Sequence, residues 1–215
     1  HVARFFTCRP GESPSIPDDI AYPLMVKPLA TDASEGIAQA SVVQDPESLA
    51  ARTKFVHENF QMAVIIEQFV EGRELYVSLL GDGDDLAVLP LTELVFDKEK
   101  NTPEERIATR RAKWDVRYRE RRGIRNQYAR PISAQARERV EHTCRTAFRA
   151  LCLRDYARCD VRLDADDNVW LIEANANPYI AEGHDFAEAA HKSGLEYPAF
   201  IQRLIDLALA RAARG

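Results

Sequence analysis

Asp160, Glu173 and Asn175 carry hard oxygen donors and lie in two short apolar runs that flank a cluster of turn-forming residues. The runs predict two antiparallel strands, and a two-residue turn at Asp166 and Asp167 places Asp160 opposite Glu173. Two opposed carboxylates repel each other, and an amide oxygen two residues along adds a third donor. A divalent cation would remove that repulsion, and so few oxygen ligands suit magnesium bound together with a phosphate.

Side chains alternate along a strand, so this hairpin is predicted to have one core face and one polar face. The predicted core face carries Cys159, Val161, Leu163, Trp170, Ile172 and Ala174. The predicted polar face carries Arg158, Asp160, Arg162, Leu171, Glu173 and Asn175. Sliding the turn by one residue keeps these faces, whereas an odd-numbered turn breaks them. The alternative to a metal site is an exposed face on which the two arginines neutralise the two carboxylates.

Three further charged residues, Lys27, Glu67 and Glu74, gain a functional interpretation only in combination. Lys27 ends an apolar strand and precedes Pro28, which keeps the chain extended, so its ammonium group can meet an anion. Taken alone, it fits an exposed lysine at a strand end, and the two glutamates fit surface acids. No glycine-rich phosphate loop of the Walker or dinucleotide type occurs, so a nucleotide site must be built in another way.

The elements that must position these residues are short strands and helices in mixed order. In chain order they are a hairpin of 22–27 and 36–43, a helix from Asp45 and Pro46 towards Phe60, a strand at 63–66, a hairpin of 75–80 and 86–91, a helix from Ser133 to Leu151, the hairpin within 156–178, and helices at 185–192 and 198–212. Residues 97–131 show no persistent period, which indicates a functional or a disordered loop.

Composition and charge indicate a soluble globular protein. The 215 residues carry a net charge of −5, and no apolar run approaches the roughly 18 residues of a membrane span. The four cysteines show no CxxC pair and no metal-ligand spacing, so we expect reduced thiols in the cytoplasm. The basic stretch 106–130 raises nucleic-acid binding as an alternative, but acidic residues interrupt it and few aromatics are interleaved.

Several motifs together resemble those of the ATP-grasp carboxylate-amine ligases, and within them the D-alanine–D-alanine ligase group. The matching segments are Met25-Val26-Lys27-Pro28, Ile66-Glu67-Gln68-Phe69-Val70 with Gly72 and Glu74, Ala112-Lys113-Trp114, Arg158-Cys159-Asp160-Val161, Trp170-Leu171-Ile172-Glu173-Ala174-Asn175 and Asn177-Pro178. The order and spacing of the lysine strand, the hinge and the metal-binding hairpin agree with the family.

The resemblance implies a role for each of these residues. The magnesium ligands are Asp160, Glu173 and Asn175, and two ions are expected. The ATP-binding residues are Lys27 and Ser34 at the phosphates, Glu67, Gln68, Phe69 and Val70 at adenine, and Glu74 at the ribose hydroxyls. The catalytic residues are Arg158, at the transferred phosphoryl group, and Lys113, which reaches the terminal phosphate from the basic loop.

The fold implied by the resemblance is α+β and of ATP-grasp type, with two α+β lobes whose largely antiparallel sheets sandwich ATP. Residues 1–71 are expected to form the N-terminal lobe, with the phosphate flap and the adenine hinge. Residues 72–215 are expected to form the C-terminal lobe, with the magnesium-binding hairpin and the basic loop. The loop 31–36 is the expected flap over ATP.

The implied activity is ATP-dependent ligation of a carboxylate and an amine, an amino acid or a peptide, through an acyl phosphate. The alternative is a non-catalytic ATP-binding regulatory module of the same fold. Two departures bear on the substrate: Ala33 replaces the first serine of the family's flap, and Tyr179 and Ile180 intervene where a glycine often follows Asn177-Pro178. D-alanine specificity, a missing N-terminal substrate domain and a homodimer stay open.

Overall fold

The computed structural model describes residues 1–213, and its chain divides into two compact units. The flap unit comprises residues 3–71 and 96–125, and the hairpin unit comprises 1–2, 72–95 and the residues from 126 onward. The strands are β1 (Phe5–Cys8), β2 (Leu24–Pro28), β3 (Val42–Val43), β4 (Val64–Gln68), β5 (Arg73–Leu80), β6 (Ala87–Val88), β7 (Thr92–Val95), β8 (Arg125–Tyr128), β9 (Tyr156–Leu163) and β10 (Val169–Asn175). The helices are α1 (Pro46–Phe60), α2 (Arg110–Trp114), α3 (Val116–Arg122), α4 (Ala134–Ala150), α5 (Asp185–Lys192) and α6 (Tyr197–Ala213).

The flap unit contains a four-stranded antiparallel sheet in the order β1-β4-β2-β3. Alternation along β2 buries Leu24 and Val26 completely, and they pack in one apolar cluster with the buried residues of α1. Lys27 lies on the other face of the sheet, one strand away from Glu67 of β4. The alternation therefore places both predicted nucleotide residues on the same side.

Helix α1 forms because its start and its end are both encoded locally. The Ser48 N–H donates to the Asp45 carboxylate at 2.8 Å, and Pro46 occupies the first turn, where its missing N–H costs nothing. The helix stops at Gln61, which adopts the left-handed conformation. Both ends agree with the cap and the extent predicted from the sequence.

The return strand of the first predicted hairpin is shorter than expected. Only Val42–Val43 pairs with β2, because a 3-10 turn at Gln39–Ser41 occupies the preceding residues. The Arg52 guanidinium donates to the Gly36 carbonyl and, at 2.9 Å, to the Ser41 hydroxyl. This side chain fixes a curved path that strand periodicity does not predict.

The prediction of no regular structure within 97–131 is wrong, because this segment contains two short helices and a strand. The Thr109 hydroxyl accepts from the Ala112 N–H at 3.0 Å and begins α2, and the Asp115 carboxylate accepts from the Tyr118 N–H at 2.9 Å and begins α3. Gly123 ends α3 with a φ of 60°, and a Cβ there would lie 2.6 Å from the Asp97 Cβ. Helices this short complete too few turns to show a period.

The hairpin unit contains a six-stranded sheet in which β10, β9, β5, β7 and β8 follow one another and β6 pairs with β5. Helix α4 covers one face, and its first turn is capped by the Ser133 hydroxyl, which accepts from the Ala136 N–H at 3.0 Å. Helices α5 and α6 pack around Phe186 and Phe200, whose stacked rings lie 5.4 Å apart. All three helices lie where the sequence predicted them.

The two units differ from the predicted lobes in two segments, residues 1–2 and residues 96–125. Residues 96–125 belong to the unit of the flap, because the Gln39 amide donates to the Glu105 carbonyl at 3.1 Å and the Arg110 N–H donates to the Ile37 carbonyl at 3.4 Å. The assignment of 1–71 and 72–215 as lobes stays a prediction.

The four cysteines are free thiols, namely Cys8, Cys144, Cys152 and Cys159. Over residues 1–213, we find no helix with the length and apolar character needed to cross a membrane.

Candidate functional site

The turn of the β9–β10 hairpin has an odd number of residues, so the predicted two-residue turn is wrong. Leu163 pairs with Val169, and the Asp164 N–H donates to the Asn168 carbonyl at 3.1 Å, which leaves three residues at the tip. The Asp164 carboxylate holds the turn by accepting from the Asn168 N–H at 2.8 Å and from the Trp170 indole N–H at 3.0 Å. This side-chain anchoring favours the longer loop.

A register shift between Leu171 and Glu173 restores the predicted pairing of Asp160 with Glu173. Leu171 pairs with Val161, and Glu173 then pairs with Asp160, so Ile172 is the extra residue of a bulge. Ahead of the bulge the predicted faces are reversed: Leu171 packs against the core, and Trp170 pairs with Arg162 on the polar side. After the bulge they agree with the prediction.

The polar face spans three adjacent strands in three cross-strand rows. The rows, from β5 through β9 to β10, are Glu74-Arg162-Trp170, Tyr76-Asp160-Glu173 and Ser78-Arg158-Asn175. The face thus brings together five residues that the sequence predicted in the site, and adds Tyr76 and Ser78. Tyr76 and Ser78 could have been found by extending the alternation from Glu74 along β5.

Arg158 and Asp160 form a bidentate ion pair at the centre of this face. Nε donates to Oδ1 at 2.6 Å and Nη2 donates to Oδ2 at 2.9 Å, and both side chains are largely buried. The guanidinium also lies 4.6 Å from the centroid of the Tyr76 ring. Burial by itself would lower the pKa of Arg158, but the charge and hydrogen bonds of Asp160 raise this pKa above its usual value. The Arg158 guanidinium therefore stays protonated and is held in one orientation.

Glu74 is neutralised by Arg162 rather than left as a surface acid. Arg162 Nη2 donates to Glu74 Oε2 at 3.0 Å, and the Tyr76 hydroxyl lies 3.4 Å from Glu74 Oε1. Burial, followed by the charges of Glu74 and Asp160, raises the pKa of Tyr76 well above its usual value, so its hydroxyl stays protonated. The suggested neutralisation of Asp160 by Arg158 is observed, whereas Arg162 pairs with Glu74 and Glu173 is exposed.

The predicted metal ligands fit a magnesium ion by the chemistry of their donor atoms. Asp160 and Glu173 are cross-strand partners, and the Asn175 side-chain oxygen accepts a hydrogen bond from the Asn177 N–H at 2.8 Å. Each carboxylate oxygen of Asp160 accepts a hydrogen bond from Arg158. Within residues 1–213, no three or more His, Cys, Asp or Glu side chains are grouped so that they alone could hold a metal ion. Two carboxylates and an amide suit magnesium, which completes its shell with water and phosphate.

The flap unit brings Lys27 and Glu67 together in an ion pair whose side chains are about one-fifth exposed, 19% and 20%. Gln68 ends β4, and its N–H donates to the Arg4 carbonyl at 2.9 Å, while the Phe69 N–H donates to the Pro23 carbonyl at 2.9 Å. Both N–H groups therefore already have partners within the chain, and the adenine role of this hinge stays a prediction. Half-buried Val70 follows directly.

Ser34 and Lys113 also lie in the flap unit, and their roles stay predictions. Ser34 has a φ of 61° and Ala33 a φ of 50°, so the tip of the flap contains two consecutive left-handed residues. The Ser34 carbonyl accepts from the Ile37 N–H at 3.1 Å. Lys113 lies on α2, and its N–H donates to the Thr109 carbonyl at 3.0 Å.

Comparison with known proteins shows which family this arrangement comes from. The model of the family described as "D-ala D-ala ligase C-terminus" matches residues 10–206. The chain belongs to this family. Its match covers every predicted site residue, so these residues can be interpreted together.

Two curated relatives of this family illustrate the degree of similarity. The D-alanine–D-alanine ligase of Desulfotalea psychrophila is 30% identical over 215 residues, which is 98% of this chain and 62% of the relative. The ligase of the same name from Bordetella avium is 30% identical over 184 residues, which is 85% of this chain and 52% of the relative. The chain therefore spans a little over half of the length of each relative. Both names describe enzymes, so these relatives do not support the alternative of a non-catalytic ATP-binding module.

Solved structures agree with the family on the fold. The D-alanine–D-alanine ligase of Bacillus anthracis in complex with ATP superposes with a TM-score of 0.74 at 20% identity, over 100% of this chain and 62% of that one. The D-Ala:D-Ser ligase VanG of Enterococcus faecalis gives a TM-score of 0.71 at 21% identity, over 96% of this chain and 56% of that one. The fold is α+β and of ATP-grasp type, as the sequence predicted.

Proposed function

We propose that this chain provides the nucleotide- and metal-binding part of an ATP-dependent ligase that joins a carboxylate to an amine through an acyl phosphate. The observation that carries the proposal is the Arg158–Asp160 pair with Glu173 opposite Asp160 on one polar sheet face. A fixed cation beside two carboxylates suits phosphoryl transfer, because the carboxylates can hold a metal ion while the cation offsets charge on the transferred group. Family membership and the names of the two relatives, both D-alanine–D-alanine ligases, support the same reaction class.

In the proposed reaction, a carboxylate oxygen of the acid attacks the terminal phosphorus of ATP, and the bond to the ADP oxygen breaks. The amine nitrogen then attacks the carbonyl carbon of the acyl phosphate, and the bond from that carbon to the phosphate oxygen breaks. Inorganic phosphate leaves, and the nitrogen gives its proton to solvent. The chain needs no nucleophile of its own, so its contribution is positioning and charge neutralisation.

Arg158 is the residue best placed to act on the transferred group. Asp160 engages its Nε and Nη2, so Nη1 is left to donate to phosphoryl oxygens in a fixed direction. Asp160, Glu173 and Asn175 would hold magnesium, which supplies neutralisation of phosphate charge when it is bound. Lys27 and Lys113 add positive charge for the phosphates, which Ser34 also contacts, while Glu67 to Val70 bind adenine and Glu74 binds the ribose.

The substrates are proposed to be small molecules, one with a reacting carboxylate and one with a reacting amine, of the amino-acid or peptide class. Ala33 in the flap and the Tyr179-Ile180 pair after Asn177-Pro178 are the departures from the family motif that bear on the acceptor substrate. The Tyr179 ring packs edge-on against His184 at 4.4 Å, which gives this segment an aromatic surface. D-alanine is one candidate to be tested among others.

The test is phosphate release by the full-length protein with ATP, magnesium and pooled amino acids and small carboxylates. We expect release that requires both an acid and an amine. Asp160→Asn removes one negative charge from the donor set and is expected to lower turnover by about a hundredfold or more. Asp166→Asn makes the same charge change in the exposed tip of the same hairpin and serves as the matched control. Unchanged turnover in Asp160→Asn with intact secondary structure would refute the metal assignment.

A further inference from the structure

The flap unit contains a cavity that the proposed reaction does not use. It has a volume of about 750 Å3 and lies between the backbone of 37–40 and the helices α2 and α3. A cavity of this size accommodates a small molecule of roughly the dimensions of a nucleotide or a drug. Neither Lys27 nor Glu67 lines it, so it is separate from the predicted nucleotide residues of this unit.

The cavity is lined by an excess of positive charge. Lys100, Arg111, Arg121 and Arg122 contribute their side chains to its wall. Three of these cations have a carboxylate partner: Lys100 is 3.5 Å from Asp97, Arg111 is 3.4 Å from Asp115, and Arg122 is paired with Glu105. Arg121 forms no ion pair within the described part of the chain, residues 1–213. Asp115, which is already paired with Arg111, offsets part of this charge, since the charge of Arg121 contributes to the lowered pKa of Asp115.

Tyr118 gathers three of these cations around one aromatic ring. The guanidinium carbons of Arg111, Arg121 and Arg122 lie 4.5, 5.7 and 6.0 Å from the centroid of this ring. Tyr118 is itself buried, and the Gln39 amide lies 3.4 Å from its hydroxyl oxygen, so the ring is held from the opposite wall of the cavity. Cation–π attraction and the carboxylates of Asp115 and Glu105 together offset part of the repulsion among the three guanidinium groups. An anion would offset the remainder.

The wider segment has the same charge bias. Residues 96–125 contain eleven basic and six acidic residues in a protein whose net charge is −5. The bias does not suit an extended nucleic acid, because the carboxylates of Asp97, Glu105 and Asp115 lie among the cations and would repel successive phosphates. It suits a compact ligand that meets the arginine forks at one point.

We propose that this cavity binds a small polyanion that carries phosphate groups or clustered carboxylates. Arg111 and Arg121 donate to its charged oxygens from exposed positions, and Arg122 and Lys100 share their charge with it. Arginine is suited to this task because its planar fork matches both carboxylate and phosphate oxygens in pairs. The site lies outside the residues assigned to ATP and magnesium, so it does not depend on the proposed ligase activity.

Ligand binding at this cavity has a route to the flap. The wall residues 37–40 follow directly on the flap at 31–36, and the Arg110 N–H at the start of α2 donates to the Ile37 carbonyl at 3.4 Å. A polyanion that draws α2 and α3 towards this wall would restrain the base of the flap. Binding is therefore expected to lower amide hydrogen exchange in 31–40 as well as in 109–123.

The test measures binding of pyrophosphate and of citrate to the full-length protein by titration calorimetry, at constant ionic strength set with chloride. Pyrophosphate represents phosphate groups and citrate represents clustered carboxylates, so the two probes distinguish the sources of charge. Arg121→Gln is expected to weaken the binding of the probe roughly tenfold or more, because it removes a charged donor that has no internal ion pair. Arg117→Gln is the matched control, since this exposed arginine lies on the same helix and does not line the cavity.

Each outcome supports or overturns the proposal. Binding that Arg121→Gln weakens and Arg117→Gln leaves unchanged supports it, and the same pattern must persist in Lys27→Met, which separates the cavity from the nucleotide residues. Equal binding by the wild type and Arg121→Gln overturns it, as does the absence of binding by both probes. Tighter binding of single-stranded nucleic acid that grows with strand length also overturns it in favour of the nucleic-acid alternative. Thermal unfolding of each variant verifies that the variant is folded.

Discussion

At the scale of single residues, Tyr76 links the two ion pairs of the polar face. Its ring lies below the Arg158 guanidinium at 4.6 Å, and its hydroxyl is 3.4 Å from Glu74. Removing the ring in Tyr76→Leu is expected to lower phosphate release roughly tenfold, because Arg158 loses the surface that fixes its direction. Tyr76→Phe retains the ring and should retain most of the activity. Equal losses in both variants would indicate that the hydroxyl, and not the ring, is the important group.

Glu93 gives a pH-dependent contribution to stability in the hairpin unit. Burial by itself would raise the pKa of Glu93, but hydrogen bonds from Arg73 and Arg130 outweigh burial and lower this pKa from 4.5 to about 2. A lowered pKa means that the ionised carboxylate stabilises the folded state. The contribution is fully present above pH 4.5 and is lost as the pH falls towards 2.

The prediction for Glu93→Gln follows from that direction. At neutral pH the substitution is expected to reduce the free energy of unfolding by on the order of 3 kcal/mol, because two arginines lose a buried partner. The difference from the wild type should shrink between pH 4.5 and 2, as measured by urea unfolding at several pH values. Glu138→Gln, an exposed glutamate of α4, is the control for the charge change. A difference independent of pH would contradict the assignment.

At the scale of elements, the bulge at Ile172 determines which face Glu173 occupies. Without an extra residue, the register set by the turn would place Ile172 opposite Asp160 and Glu173 opposite Cys159 on the core side. The bulge removes Ile172 from the pairing and returns Glu173 to Asp160. The odd-numbered turn thus moves the residues of β10 to the opposite face of the sheet, and the extra residue of the bulge moves the later ones back.

Two single-residue deletions test this interpretation. Deletion of Ile172 regularises β10 and leaves Glu173 opposite Asp160, so folding and phosphate release should be largely retained. Deletion of Ala174 turns Asn175 towards the core opposite Cys159, which buries an amide and removes the third metal donor. This second variant should lose activity and unfold at a lower temperature. Similar behaviour of the two variants in thermal melts and phosphate-release assays would show that the bulge does not set the faces.

At the scale of the whole molecule, the proposed function draws on residues from both compact units. Lys27 belongs to the flap unit and Asp160 to the hairpin unit. A ligand that binds the folded protein raises its unfolding temperature in proportion to the logarithm of its concentration. The thermal shift produced by ATP with magnesium can therefore test each unit separately, by comparing a variant of the flap unit with a variant of the hairpin unit.

We expect ATP with magnesium to raise the unfolding temperature of the wild type, and Lys27→Met and Asp160→Asn each to reduce that rise. Asp160→Asn should act only when magnesium is present, because its role is to bind the metal, whereas Lys27→Met should act with and without it. Differential scanning fluorimetry over a series of ATP concentrations measures both effects. A full thermal shift in Lys27→Met would remove this lysine from the nucleotide site.

The amino-acid sequence by itself determined the local features of this protein. The Asp45 cap, the helix that begins near Ser133 and the helix that contains Phe186 follow from residue types and short-range periodicity, and the structure agrees with them. The ATP-grasp fold followed from motifs whose order and spacing match a known family. These features are set by neighbours in the chain, which is the information that a sequence states directly.

Only the tertiary structure decided how these features combine. It grouped residues 96–125 with the flap unit, paired Arg162 with Glu74 across β9 and β5, and gathered three arginines around Tyr118. It also replaced the expected even turn by an odd turn and a compensating bulge. The physical reason is that side-chain hydrogen bonds, ion pairs and ring contacts between distant residues leave no period in the sequence, so they are decided when the strands and helices pack.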